Sequence, residues 1–320
     1  MQRILVTGGN GFIGSHLVDQ LASLGCQVTV LDLFPRSYDN IPPGVNYFQG
    51  DLQDLRTIQK IMEEQQIELV YHTAWAKIQE KGLKDPVDEV QINLIPSINL
   101  LNSCHDAGVK RIIFMSSGGA VYGLRQPLPI KESNPTNPIN AYGISKLMVE
   151  KYLQMFYHLY GMEYIIVRPS NPYGPRQNPF RHQGVVTVFI YKALMGEPVT
   201  IFGDGEIYSD YFYVDDLTRA LVASKDVEFD PVNAIFNLGG MQPYTLNELV
   251  KKIEHVLGLQ IQVKYDKERI FDVPQIHLDS GLAKSRLNWT PTITIEEGML
   301  QTVDWLHSLA KMSQEISLDD

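Results

Sequence analysis

The sequence predicts an α/β protein built on a doubly wound parallel sheet, and three observations support this fold class. The first is a short apolar strand, Ile4–Thr7, that runs into a glycine-rich turn and then a helix. The second is an acidic residue, Asp32, at the end of the next apolar run. The third is the alternation of apolar runs with helical patterns through the first half of the 320 residues. This alternation favours right-handed crossovers that place helices on both faces of a parallel sheet.

The glycine-rich turn predicts a dinucleotide-binding site of the Rossmann type. Gly8, Gly11 and Gly14 are three residues apart. We expect the first to permit a tight turn, the second to let backbone approach a pyrophosphate, and the third to let the helix lie close to the sheet. Phe12 and Ile13 open that helix, whose free N–H groups would face the phosphates. An ordinary glycine turn is the alternative, but the strand, the helix and the later acid all favour the cofactor site.

Asp32 indicates which dinucleotide binds. A carboxylate at this position accepts hydrogen bonds from the adenosine ribose and repels a 2′-phosphate, so NAD is favoured over NADP. Arg36 is close enough in sequence to leave NADP as the alternative.

The remaining elements are predicted from the same patterns. Short apolar runs predict strands at Ile4–Thr7, Gln27–Asp32, Asn46–Gln49, Leu69–His72, Ile112–Ser116 and Tyr164–Arg168. Helical patterns predict helices at Leu55–Gln65, Ile92–Ala107 and Tyr142–Tyr160. Beyond Arg168 the chain becomes rich in proline and glycine, and one strand near Ala234–Leu238 is expected to rejoin the sheet. We therefore predict a Rossmann domain over residues 1–170, with a return segment near 209–240, and a smaller substrate-binding lobe over residues 171–320.

Composition excludes several classes of partner. The net charge of −10 argues against nucleic acid, which requires a basic face. No stretch approaches the roughly 18 apolar residues of a membrane span, and the first strand begins too early to leave room for a signal peptide. The two cysteines, Cys26 and Cys104, lie in apolar settings and are interpreted as reduced core residues of a cytoplasmic protein. No metal site is predicted.

Tyr142 and Lys146 form the candidate catalytic pair. Residues at i and i+4 lie on one face of a helix, so the phenol and the ammonium should be neighbours. A free phenol has a pKa near 10. We expect the ammonium and a positively charged nicotinamide ring to lower that pKa and favour the phenolate. Lys146 could also donate to the nicotinamide ribose.

With both motifs present, the chain resembles the extended short-chain dehydrogenases/reductases, and more narrowly the nucleotide-sugar epimerase/dehydratase family that includes the UDP-galactose 4-epimerases. The resemblance runs from residue 1 to about residue 308. It implies cofactor contacts from Asp51, Leu52, Thr73, Ala74, Lys77 and Asn93. It implies substrate contacts from Asn171, Phe202 and Arg269. Singly, His72, Asn93 and Phe202 could instead be capping or core residues.

Two positions depart from the family pattern. The family's catalytic serine or threonine should stand at position 118, where this chain has Gly118. Ser117, a water molecule or direct contact between tyrosine and substrate could replace that hydroxyl. Ser209 stands where the family usually has an arginine that binds the diphosphate, which would leave more of that role to Arg269, helped by Arg176 or Arg181.

The same loop discriminates between reactions. A 4,6-dehydratase of this family needs an Asp-Glu pair beside the tyrosine, and this chain has Gly119 and Ala120 there. The resemblance therefore implies an NAD-dependent 4-epimerase of a UDP-hexose that acts through a 4-keto sugar. The alternatives are a UDP-glucuronate or UDP-N-acetylhexosamine 4-epimerase, an NAD(P)H-dependent keto-sugar reductase, and a catalytically weak nucleotide-sugar-binding protein. The family also implies a homodimer that pairs helices Ile92–Ala107 and Tyr142–Tyr160 in a four-helix interface.

Overall fold

The computed structural model describes residues 1–35, 42–76, 86–124, 126–180, 184–269 and 273–316. Its strands are β1 Arg3–Thr7, β2 Gln27–Asp32, β3 Asn46–Gln49, β4 Leu69–His72, β5 Arg111–Met115, β6 Glu163–Pro169, β7 Asn171–Tyr173, β8 Val199–Phe202, β9 Tyr208–Tyr213, β10 Ile235–Leu238, β11 Pro243–Thr245, β12 Val263–Asp266 and β13 Gln275–Ile276. Its helices are α1 Phe12–Ser23, α2 Leu55–Gln65, α3 Pro86–Glu89, α4 Ile95–Asp106, α5 Gly118–Val121, α6 Ala141–Tyr160, α7 Val185–Leu194, α8 Val214–Ser224, α9 Leu246–Leu257, α10 Gly281–Leu287 and α11 Ile295–Ile316.

Seven strands form the main sheet in the order β10-β6-β5-β4-β1-β2-β3. Every neighbouring pair in it is parallel. The direction of winding reverses between β1 and β4, and in such sheets a dinucleotide lies across the carboxyl ends of the strands at that point. This architecture confirms the predicted fold class.

Two smaller sheets are built from strands that come after β6 in the chain. In the first, β9 lies between β11 and β13 and also pairs with β7; in the second, β8 pairs with β12. A second apolar core, separate from the core of the main sheet, is built from α7, α9, α11 and these strands. The strand predicted near Ala234–Leu238 corresponds to β10, which pairs in parallel with β6 at the edge of the main sheet.

The helix predicted at Ile92–Ala107 is interrupted at its start. Residues Val90–Leu94 form a π-helical turn, and the α-helix proper covers Ile95–Asp106. Pro96 explains the change of geometry, because its ring has no N–H and crowds the carbonyl group four residues earlier. A wider π turn relieves that crowding, and such turns are frequent at functional sites.

Among the described residues, none of the helices has both the length and the apolar character needed to cross a bilayer.

Candidate active site

The glycine-rich turn between β1 and α1 has the shape of a phosphate cradle. Gly8 has φ of +72°, a left-handed conformation, and a Cβ there would lie 2.6 Å from the Cα of Ala74. A Cβ on Gly14 would overlap the carbonyl oxygen of Gly8. Gly11 caps α1 without any side-chain hydrogen bond, so the N–H groups of Phe12 and the residues after it remain available for an anion.

Asp32 lies at the carboxyl end of β2 and faces this turn. Its two oxygens accept the backbone N–H groups of Asn10, at 2.9 Å, and of Phe34, at 3.0 Å. Each oxygen retains a second lone pair, which is what two ribose hydroxyls require. Arg36, which would favour NADP, lies outside the described residues.

Two buried polar atoms at the ends of the strands lack a partner within the described part of the chain. They are Oδ1 of Asn10, in the glycine-rich turn, and Oγ of Ser170, directly after β6. Leaving such atoms unpaired costs free energy, so they indicate a polar ligand. Together with the cradle and Asp32, they fit a dinucleotide that extends from the end of β2 to the end of β6.

The loop after β4 is the opposite wall of the cradle. Thr73 donates its hydroxyl to the carbonyl of Thr7 at 2.7 Å. Asn93 clamps Ala76, accepting its N–H at 2.7 Å and donating to its carbonyl at 2.9 Å. The amide of Asn93 therefore holds the loop that carries Thr73 and Ala74, and a direct contact between Asn93 and the cofactor stays a prediction. Lys77 lies outside the described residues.

His72 belongs to the core rather than to the reaction centre. Nδ1 lies 2.9 Å from the hydroxyl of Thr7, and Nε2 lies 2.9 Å from that of Ser97. Since Ser97 donates its proton to the carbonyl of Asn93, Nε2 must carry the ring proton. Burial lowers the pKa of His72 to about 3, so the ring is neutral.

Two of the predicted cofactor residues, Asp51 and Leu52, lie in the connection between β3 and α2. Asp51 accepts the N–H of Gln53 at 2.9 Å, which fixes its carboxylate in the turn before α2. Leu52, beside it, is partly buried against the main core. Their contacts with an adenine ring stay predictions.

Tyr142 lies in the first turn of α6, where local sequence fixes its place. Asn140 caps the helix by accepting the N–H of Gly143 at 2.8 Å. A Cβ on Gly143 would lie 2.7 Å from the carbonyl oxygen of Ala120, so glycine lets α6 pack directly against α5. Ser117, the residue before α5, forms a hydrogen bond with the phenol of Tyr142.

The protonation of the Tyr142 phenol differs from the sequence-based expectation. Burial raises the pKa of Tyr142, although the hydrogen bond from Ser117 acts in the opposite direction. The prediction that Lys146 lowers the pKa of Tyr142 is therefore wrong when only the protein's own residues act on the phenol. The reason is that burial disfavours both charged forms and lowers the pKa of Lys146 itself to about 7. A phenolate at Tyr142 depends on additional positive charge, such as that of an oxidised nicotinamide.

Position 118 has no room for the family's hydroxyl. A Cβ on Gly118 would lie 2.5 Å from Cδ1 of Leu278 and 2.9 Å from the carbonyl oxygen of Arg168. The backbone of Leu278 is held in place, because its N–H donates to the buried carboxylate of Asp210 at 2.7 Å. The apolar side chain of Leu278 thus fills the space where a side chain at position 118 would lie, and Ser117 supplies the hydroxyl next to Tyr142.

The predicted substrate residues lie on the strands beyond β6. Asn171 donates its side-chain amide to the carbonyl of Asp210 at 3.1 Å. The guanidinium of Arg269 stacks on the ring of Phe202, 3.5 Å from its centroid. Ser209 is buried on β9, where it forms a hydrogen bond with Tyr211 and carries no charge. Arg269 lies just after β12 and is a described cation beside Phe202, while Arg181 lies outside the described residues.

The comparisons with known proteins all identify the same family. Residues 4–239 match the model of the family described as "NAD dependent epimerase/dehydratase family". The chain is 37% identical to the UDP-glucose 4-epimerase of Thermotoga maritima, solved with UDP-glucose, with a TM-score of 0.91 over 96% of this chain and 99% of that one. It is 33% identical to the UDP-glucose 4-epimerase of Thermus thermophilus, solved with NAD, with a TM-score of 0.88 over 96% and 99% of the two chains.

A third solved structure is similar to the same degree but carries a different sugar specificity. It is the UDP-N-acetylglucosamine 4-epimerase of Methanobrevibacter ruminantium, in complex with UDP-N-acetylmuramic acid. The identity is 32%, and the TM-score is 0.88 over 96% of this chain and 99% of that one. Similarity of this degree therefore does not distinguish between hexose substrates.

Proposed function

The chain belongs to the NAD-dependent epimerase/dehydratase family, and we propose that within it the protein is a UDP-hexose 4-epimerase acting on UDP-glucose and UDP-galactose. The observation that carries this proposal is the hydrogen-bonded pair of Ser117 and Tyr142, next to buried Lys146 at the edge of the sheet that bears the glycine-rich cradle. Gly119 and Ala120, beside this pair, cannot transfer the protons that a dehydration needs. The substrates of the similar solved structures support the choice of a UDP-sugar.

The proposed reaction is a reversible oxidation at C4 of the sugar. Bound NAD supplies the hydride acceptor, and in the reverse direction the hydride donor. Tyr142, as phenolate, accepts the proton of the C4 hydroxyl as the 4-keto sugar forms, and it returns that proton once the keto sugar has rotated. Ser117 donates to the phenol oxygen and so stabilises the phenolate. Lys146 contributes positive charge to the same helix face.

Three residues are proposed to hold the nucleotide part of the substrate. Arg269 would pair with the diphosphate, since a guanidinium binds phosphate oxygens in a bidentate manner. Phe202, on which Arg269 stacks, presents an aromatic surface for the uracil. Asn171 would contact the diphosphate from the start of β7.

The test is an incubation of the purified protein with a panel of UDP-sugars and no added cofactor. We expect NMR of the products to show UDP-glucose and UDP-galactose approaching the same mixture from either side. Conversion of only UDP-glucuronate or UDP-N-acetylglucosamine would keep the reaction and change the sugar. Product that forms only when NADH or NADPH is added would identify a reductase. Binding without conversion would identify a nucleotide-sugar-binding protein.

We also propose that the protein is a homodimer. Along α6 an exposed apolar stripe contains Ile144, Met148, Met155 and Leu159, which are between 38% and 55% exposed. Exposed Ile95 begins the neighbouring α4. Apolar side chains that share one face across two adjacent helices are typical of a partner interface, and a two-fold axis would pair the face with itself.

Replacing Met155 by glutamate should therefore convert the dimer into a monomer. A buried carboxylate without a partner at the interface would cost more than the contact gains. Light scattering at micromolar concentration should give twice the chain mass for the wild type and the single chain mass for Met155→Glu. Val232→Glu is the matched control, because Val232 is 85% exposed and lies far along the chain from these helices. A wild-type protein that runs as a monomer would rule out the dimer.

A cytoplasmic location is proposed as well. Both cysteines are free thiols, and Cys104 is fully buried. Unpaired thiols are typical of proteins from a reducing compartment.

A further inference from the structure

Lys146 is enclosed by aromatic rings. Its Nζ lies 3.7 Å from the centroid of the Trp75 ring and 4.8 Å from that of Phe114. Among the described residues the ammonium donates one hydrogen bond, to the carbonyl of Met115 at 2.6 Å, and Lys146 is 2% exposed. A buried ammonium with a single oxygen partner needs further stabilisation, and a ring face at this distance supplies part of it.

Trp75 connects this ammonium to a carboxyl group. Its indole N–H donates to Oε1 of Glu89 at 3.1 Å. The same indole meets the ring of Tyr142 in a T-shaped contact, with centroids 6.1 Å apart and an interplanar angle of 89°. A single side chain therefore touches the ammonium, the phenol and a carboxyl group that the proposed reaction does not use.

Glu89 is the carboxyl near Lys146 that has no cationic partner within the described residues. It is 4% exposed, at the end of α3, and it forms a second hydrogen bond with the side chain of Asn93. The other nearby carboxyl, Glu150, already forms a two-pronged ion pair with buried Arg168, with Nη2–Oε2 at 2.5 Å and Nε–Oε1 at 3.0 Å. The charge of Glu150 is thus shared with Arg168, and although both carboxylates raise the pKa of Lys146, Glu89 has the larger effect.

We propose that Trp75 and Glu89 are positioning residues for the tyrosine–lysine pair: the indole anchors the Glu89 carboxylate, which supplies the counter-charge that keeps the Lys146 ammonium protonated against the Trp75 ring. The inference rests on the proposed role of Tyr142 and Lys146 in epimerisation. The other titratable group facing Lys146 from the sheet side, His72, is neutral and does not compensate it.

The charge of Glu89 has a predictable effect on pH dependence. A nearby negative charge raises the pKa of every group it faces, and it does so for both Lys146 and Tyr142. Removing it with Glu89→Gln should lower both pKa values. Both limbs of the profile of kcat against pH should therefore move towards acid, by about half a pH unit or more.

Two matched variants show whether a shift of the pH profile is due to the charge of Glu89. Glu89→Asp keeps the charge and should restore both limbs to near their wild-type positions. Asp88→Asn removes an exposed carboxylate one residue away and should leave the profile unchanged. If Glu89→Gln lowers kcat equally at every pH and moves neither limb, Glu89 has only a structural role and the proposal is overturned.

A readout independent of activity uses the indole N–H of Trp75. The chain has three tryptophans, so the ¹⁵N–¹H resonance of Trp75 can be assigned by its loss in Trp75→Phe. In the wild type this resonance should titrate between about pH 5 and 9, and in Glu89→Gln its midpoint should move to lower pH or vanish. A wild-type resonance that does not titrate would overturn the proposal even if Glu89→Gln fails to fold. A titrating resonance in a protein that converts no UDP-sugar would refute the proposed function and leave this inference standing.

Discussion

Replacing Tyr142 by phenylalanine should lower the turnover number for UDP-sugar epimerisation by about 100-fold or more, while NAD stays bound. The ring and its contact with Trp75 remain, so the substitution removes only the group that exchanges a proton with the sugar hydroxyl. Loss of a positioned general acid–base typically costs a factor of 10² to 10⁴. The measurement is kcat by NMR of the product mixture, with the nucleotide content determined by chromatography after denaturation.

Tyr160→Phe is the control for this prediction, because Tyr160 lies on the same helix but is 51% exposed and stacks on His105. It should retain the wild-type turnover number. If Tyr142→Phe keeps full activity, then Tyr142 does not carry the proton, and the proposed mechanism is wrong irrespective of the neighbouring serines.

Much of the fold could be predicted because its signals are local. The predicted bounds of β2, β3, β4 and α2 agree with the structure residue for residue. Most of these elements have a clear apolar run or helical pattern, and Asp54 marks the start of α2 by capping two of its N–H groups. Glycine spacing and one acidic residue likewise sufficed to predict NAD as the cofactor, and the family comparisons confirm both the cofactor and the epimerase class.

The features that escaped prediction depend on contacts between residues far apart in the chain. Trp75 and Lys146 are 71 residues apart in the chain, and no local sequence pattern predicts the contact between them. The buried acid Glu89 is preceded by residues 77–85, which the structure does not describe, and in the sequence it reads as one more polar helix residue. The raised pKa of Tyr142 escaped prediction for the same reason, because the burial that raises it is a property of the whole fold. The division of the chain near residue 170 stays a prediction.

Gly118 is a departure from the family pattern that could be located from the sequence, but its physical cause could not. In the structure Gly118 opens the short helix α5 and does not have a positive φ. The constraint is instead the lack of space between Leu278 and the carbonyl group of Arg168. The hydroxyl that this loop offers to Tyr142 is that of the neighbouring residue, Ser117.

Ser117→Ala should consequently lower the turnover number by about tenfold or more, because the phenolate of Tyr142 loses its hydrogen-bond donor. The pKa of Tyr142 should rise further in this variant, since that hydrogen bond lowers it. The accompanying measurement is kcat against pH, in which the acidic limb should move towards alkaline pH. A change of less than threefold would instead assign the proton path to water or to direct contact between tyrosine and substrate.

The companion variant Gly118→Ser should not rescue Ser117→Ala, although it restores the residue that the family pattern has at this position. The new Cβ would contact the end of Leu278, which can move, and the backbone carbonyl of Arg168, which cannot. Gly118→Ser alone should therefore lower the melting temperature by several degrees, as overpacking of about 1–3 kcal/mol does. Adding Leu278→Ala should recover only part of that loss. Full rescue of turnover by Gly118→Ser without loss of stability would show that the space between Leu278 and Arg168 does not restrict this position.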